Sequence, residues 1–216
     1  MRAIKFTIID MLRCKITLFI LLVFSVIAFF FIRESLFFGF LYLCFGGIIA
    51  SIQPFAQEQQ AESGFINMLP ATKGDRILGR YLFGLFLLLF SMVLASLVAI
   101  VYGVIHPASH ENWSLLIIGF LGGGLIMISL QYLLFYVLGK MKSQQFQGFI
   151  MMLPGFIFFF GINFLMEEYR ELVPAIAAWI SSHMNLFVLL LLLAGFVTFG
   201  VCSFVSTLIA NRRDSL

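Results

Sequence analysis

Six apolar runs joined by short polar connections constrain this chain more than any other feature. They occupy residues 16–32, 36–52, 81–105, 113–138, 149–166 and 186–210. Each is near the roughly 20 residues that a helix needs to cross the hydrocarbon core of a bilayer. The chain is 62% hydrophobic and 11% charged, with 28 Phe, whereas a soluble domain carries about 25% charged residues. A single aqueous core cannot hide that much apolar surface. The expected fold class is an all-α membrane protein with six transmembrane helices, forming one transmembrane domain over 1–216. Only Arg33, Glu34 and Ser35 separate the first two runs, so these form a tight antiparallel hairpin. No small-residue cleavage site follows the first run, which is therefore expected to stay in place as a helix.

Lysine and arginine near the span ends set the orientation. One side carries Arg2, Lys5, Arg13, Lys15, Lys73, Arg76, Arg80, Lys140, Lys142, Arg212 and Arg213, and the other only Arg33 and Arg170. Both termini are expected in the cytosol. Residues 1–15 are too charged to span. Ile4, Ile8, Met11 and Leu12 fall on one helical stripe flanked by Arg2, Lys5, Arg13 and Lys15. This is the pattern of an amphipathic helix lying in the cytoplasmic interface, its basic groups toward anionic lipid. An ordinary cytosolic lead-in is the alternative. Between spans five and six, residues 167–185 begin acidic and then place Leu172, Ile176, Trp179 and Ile180 at helical spacing. A short external helix at the membrane surface is expected there, with Trp179 at headgroup level.

Small residues stand where helices can approach closely. Gly46, Gly47 and Ala50, with Ser51, form small-xxx-small pairs in span two, and Gly119 and Gly123 form a GxxxG in span four. Packing within one subunit is the preferred reading, a seam between two copies the alternative. No Asp, Glu, Lys, Arg or His falls inside the six runs, although ion-coupled carriers and intramembrane enzymes usually need one there. Gln131 and Asn163 are the polar candidates for a cargo path, but an interhelical hydrogen bond is the preferred reading of each. His106, His110 and Glu111 are close in sequence, but loop histidines are common and no metal site is expected. Three cysteines, Cys14, Cys44 and Cys202, imply neither a disulfide framework nor a metal cluster. No GxxxxGK[ST] phosphate loop is present, so no nucleotide-binding domain is expected in the chain. A net charge of +3 gives no reason to expect nucleic acid.

The longest polar stretch, QPFAQEQQAESGFINMLPATKGDRILGR at residues 53–80, carries both signs of charge. Pro54 is expected to end span two, because proline removes a donor and biases the preceding residue away from helix. Residues 57–65 follow as a short helix with Glu58 and Glu62 one turn apart. Ile66, Met68 and Leu69 are apolar in a cytosolic loop, which points to burial against a partner. Thr72 followed by Asp75 is a capping-box start for the next helix. Arg76 and Arg80 share a face of that helix as it runs into span three. A push on the short helix would thus reach two spans through stiff connections. A solvated loop with positive-inside charges is the bland alternative. A second polar loop at 139–148 is either a further contact or a turn with basic anchors.

The layout resembles the ABC-2 type permeases, the membrane subunits of one class of ATP-binding-cassette transporter. The segment NMLPATKGDRILGRYL at 67–82 is similar to the LP-x-x-(K/R) … (A/G)(R/K)Y segment of their small Gram-positive members. Those include permeases that export amphipathic and antimicrobial peptides, such as the phenol-soluble modulin exporter. The resemblance implies two separate ABC ATPase subunits, a second permease subunit (identical or not) and a bacterial cytoplasmic membrane. It implies that ATP and Mg bind only the ATPase partner, so that this chain is not itself an enzyme and holds no cofactor. By the same resemblance, Gln57, Glu58, Glu62, Phe65, Met68 and Leu69 form the coupling helix that contacts the ATPase, buttressed by Lys73, Arg76 and Arg80. The expected function is export of an amphipathic peptide or other hydrophobic cargo. A non-transporting scaffold or immunity protein that binds a toxin or sensor kinase is the alternative, and co-purification of an ATPase separates the two.

Overall fold

The computed structural model describes residues 2–15, 19–20, 23, 27, 36–55, 72–105, 113–145, 149, 156, 160–161, 163–164, 167–168 and 172–213; nearly all are helical and none is in a strand. The helices in chain order are α1 (Arg2–Arg13), α2 (Leu36–Ala50), α3 (Lys73–Ile105), α4 (Trp113–Gln145), α5 (Leu172–Ser182) and α6 (Met184–Arg213). Three of them are long and apolar enough to cross a membrane, over Lys73–Val104, Trp113–Leu138 and Met184–Arg212. The expected spans at 16–32 and 149–166 lie mostly outside the described residues.

Two boundaries differ from expectation. The backbone of span two breaks at Ser51 and Ile52, three residues before Pro54, and residues 53–55 form a new helical turn. The break is tightened by i→i−3 bonds, from Ile52 N to the Ile49 carbonyl at 3.3 Å and from Phe55 N to the Ile52 carbonyl at 3.0 Å. Pro54 starts that turn rather than stopping a helix, because the N–H it lacks has no partner in a first turn. At the far end of span four, residues 139–145, expected in a loop, continue α4 as helix. Lysine, methionine and glutamine are good helix formers, and Gly139 alone, at about 1 kcal/mol, does not stop them.

The helices pack through small residues and one aromatic core. A Cβ placed on Gly122 would lie 2.9 Å from the backbone of Leu191 and Leu192, and one on Gly195 would lie 2.7 Å from the Gly122 carbonyl. This mutual approach of α4 and α6 makes the most extensive pairing among the described helices. It replaces the GxxxG expected at Gly119 and Gly123: a Cβ at Gly119 would meet only the Val188 side chain at 3.9 Å, and one at Gly123 nothing within 4 Å. Gly122 and Gly124, which flank Gly123, take the close contacts instead, Gly122 with α6 and Gly124 with the Leu88 side chain of α3. Gly47 on α2 does face α3, where a Cβ would lie 3.3 Å from the Ser91 Cβ, while Gly46 is half-buried. Ala50 joins Cys14, Phe83 and Leu87 in a buried cluster between α1, α2 and α3.

The helix α1 has two working faces. Ala3, Phe6, Thr7, Asp10 and Cys14 are buried, whereas Ile4, Ile8 and Leu12 on the opposite side are 56%, 50% and 69% exposed. The buried face lies on α3 at Gly79, where a Cβ would come within 2.8 Å of the Phe6 Cβ and 2.9 Å of the Ala3 carbonyl. Thr7 Oγ1 donates to the Gly79 carbonyl at 3.0 Å. The short helix α5 is separated from α6 by His183 alone, across which i→i−4 backbone bonds continue, and the His183 ring stacks on Trp179 with centroids 5.3 Å apart.

Candidate functional site

Residues 56–71 lie outside the described residues, and with them Gln57, Glu58, Glu62, Phe65, Met68 and Leu69. What the structure gives is how the chain leaves the bundle at 55 and returns to it at 72.

The departing end is held by a buried cluster of rings. Breaking the helix at Ser51 releases its carbonyl from the usual i→i+4 bond, because the Phe55 N–H has turned to Ile52. Such a buried acceptor needs a partner, and Tyr132 of α4 supplies it, donating its hydroxyl at 2.6 Å. The Ser51 side chain turns back to the Ile48 carbonyl at 2.7 Å. Phe55 then packs between α4 rings: stacked on Phe135 at 4.7 Å, edge-on to Tyr132 at 5.0 Å and to Tyr136 at 5.6 Å. The Arg80 guanidinium covers Phe55, 4.6 Å from the ring centroid. A cation over an aromatic face contributes about 0.5–1 kcal/mol where water still reaches it.

The returning end is held by a reciprocal cap. The Asp75 N–H donates to Thr72 Oγ1 at 3.2 Å, and Thr72 N–H donates to the Asp75 carboxylate at 3.3 Å. The Thr72 hydroxyl also reaches that carboxylate at 2.6 Å. Two amides that the first turn would otherwise leave unsatisfied are thus paired, and the carboxylate sits at the positive end of the helix. From Thr72 the helix continues into the span without a break.

One further pair ties this helix to the last one. Tyr81, fully buried, shares a hydrogen bond of 2.9 Å with Ser206 of α6. Its ring stands edge-on to Tyr132 at 5.2 Å and to Phe199 at 5.3 Å. Gly84 leaves room for the Tyr132 hydroxyl, which a Cβ there would approach to 2.9 Å. Asp10 of α1 and Arg80 both lie close enough to act electrostatically on Tyr132. The Arg76 guanidinium sits 6.0 Å from the Phe6 ring centroid.

Arg76 and Arg80, expected to buttress the segment from one face, therefore reach different neighbours, one toward α1 and the other toward the end of α2. Lys73 is exposed. Gln131 is buried within α4, whereas Asn163 is exposed, so the two polar residues considered for a cargo path stand in opposite environments. His106 and His110 lie outside the described residues, among which no group of three metal-ligating side chains occurs. Sequence reasoning missed Ser51, Phe55, Tyr81 and Tyr132 as a unit. The signal was a tyrosine within each of two apolar runs, since a buried tyrosine hydroxyl must find a partner.

The arrangement is a joint: two ends of one polar segment fixed to a common set of four helices, α2, α3, α4 and α6, by directional contacts. A family model for ABC-2 family transporter proteins matches residues 6–211. No curated protein and no solved structure matches the chain.

Proposed function

The chain belongs to the ABC-2 transporter family, and on that premise we propose that this permease exports an amphipathic peptide or another hydrophobic cargo under the drive of separate ATPase subunits. Two ATPases and a second permease subunit complete the assembly, in the cytoplasmic membrane of a bacterium with both termini inside. ATP and Mg are held by the ATPases. Residues 57–69 contact an ATPase, Glu58 and Glu62 carrying the charge of that contact, and Lys73, Arg76 and Arg80 support it from the root of α3. ATP-driven closure of the ATPases moves this segment, and the paired permeases swing between inward and outward states.

The observation that carries the reading is the double fixation of the segment. Phe55 is locked into the ring cluster under Arg80, and Thr72 is locked to Asp75. A loop that only crossed solvent would need neither. Stiff ends are what a displacement of the segment requires if it is to reach the spans rather than be absorbed locally. A cargo without formal charge at its membrane-facing surface fits spans that carry no ionisable residue.

The test is purification from native membranes in mild detergent, followed by mass spectrometry and an ATPase assay. A stoichiometric ATPase whose turnover falls when Glu58→Lys and Glu62→Lys are combined is the expected result. Unchanged assembly and turnover in that double variant would place the contact elsewhere. Recovery with a kinase or a toxin and no ATPase would overturn the transport reading.

A further inference from the structure

We propose that α1 is a sensor of anionic membrane lipid, and that it passes the state of the lipid surface to the root of α3. The inference deepens the reading above, because α3 is the helix by which the polar segment enters the membrane, but its first observable does not involve an ATPase.

The two faces of α1 differ in charge as well as in burial. The outer stripe, Ile4, Ile8 and Leu12, is apolar and exposed, and it runs beside helices that cross the membrane. Exposed Lys5 and Lys15 stand on the same side. The only acidic residue of the helix, Asp10, is turned the other way and buried. The exposed surface therefore presents apolar side chains edged by positive charge alone. That combination fits a layer of anionic headgroups: the stripe enters the acyl boundary and the lysine stems extend to the phosphates.

The inner face makes this surface more than an anchor. Thr7 bonds the Gly79 carbonyl, Phe6 lies under Arg76 at 6.0 Å, and Gly79 admits the Phe6 Cβ and the Ala3 carbonyl with no space for a side chain. All three contacts fall within residues 76–79, one turn from the Thr72–Asp75 cap. A change in how firmly lipid holds α1 is thus felt at the first turns of α3.

The experiment uses the full-length permease in nanodiscs of phosphatidylcholine with or without phosphatidylglycerol. An Ile8→Trp probe, in a background of Trp113→Phe and Trp179→Phe, reports contact with brominated lipid. Quenching by brominated phosphatidylglycerol should exceed that by brominated phosphatidylcholine at equal content. The preference should fall about fivefold for each of Lys5→Gln and Lys15→Gln. Equal quenching by the two lipids, or none by either because a protein covers the stripe, overturns the proposal. The second observable is amide exchange over residues 73–80. It should slow in phosphatidylglycerol in the natural chain and lose that dependence in the lysine double variant. Exchange that ignores the lipid in the natural chain would mean that α1 binds lipid without passing anything on, and would refute the sensor. A purification that yields no ATPase would remove the transport reading and leave both observables standing.

Discussion

The two halves of the bundle are held by different kinds of contact. At the end where α1, the root of α3 and the close of α6 meet, the contacts are directional: Tyr132 to the Ser51 carbonyl, Tyr81 to Ser206, Arg80 over Phe55, Thr72 to Asp75. Farther along the same helices the described contacts are mostly apolar: Gly122 meets Gly195, Phe40 and Leu43 pack on Ala95 and Ala99, and the Cys44 thiol reaches the Phe120 carbonyl at 3.6 Å. Directional bonds fix register and angle and lose their value on small displacement. Apolar contact against small residues tolerates sliding at little cost, because lipid is as apolar as the helix that it replaces. The function proposed above, in which force is received at one end and shape changes at the other, needs that difference.

Four substitutions and one control probe the contrast. The largest effect is expected at the α4–α6 crossing, where Gly122→Leu forces a side chain into the Leu191 backbone and should cost about 3 kcal/mol, at the top of the range for overpacking. Thermal unfolding in detergent reads it, and Gly123→Leu, facing open space, should change stability by less than about 0.5 kcal/mol. Equal losses from the two would mean that the glycine run packs on some other face.

Next comes Tyr132→Phe, which leaves the Ser51 carbonyl buried without its donor, at a cost of about 2 kcal/mol. If the joint transmits force, this variant should keep its ATPase partner and lose transport. Loss of binding and transport together would make the ring cluster a folding element only.

Smaller still is Thr72→Ala, which removes one half of the cap at about 1 kcal/mol. Amide exchange should speed up over the first turn of α3 and stay unchanged at Tyr81, where the hydrogen bond to Ser206 holds. The least effect, about 0.5 kcal/mol, is expected of Arg80→Met, which keeps the aliphatic stem over Phe55 and removes the charge. High salt should weaken the natural contact less than it would an exposed ion pair, since the guanidinium is half-buried.

Much of this architecture is legible in the residues because lipid imposes a strong rule: a run of apolar residues of the right length must be a helix with all of its backbone bonds internal. The Thr72–Asp75 cap was legible for a local reason, since its spacing is fixed by one helical turn. The amphipathic stripe of α1 could be read, but its buried face could not. Ala3, Phe6, Thr7 and Asp10 look unremarkable until Gly79, seventy residues away, offers a groove. The close crossing at Gly122 likewise depended on Gly195, a lone glycine with no local signature. Pro54 was legible as the end of span two, which closes just before it, but not as part of a new turn, which only the backbone shows. Long-range pairings of this kind carry no mark in a single segment.

The most direct test of the account is a photo-crosslinking residue placed at Glu62 and activated in native membranes, with the same residue at Ile100 as control. The account predicts an adduct from position 62 that contains an ATPase subunit and changes in yield with ATP, and adducts from position 100 that contain only lipid or membrane protein. No ATPase adduct from position 62, or the same adduct from both positions, would contradict the claim that the segment between α2 and α3 is where the driving force enters.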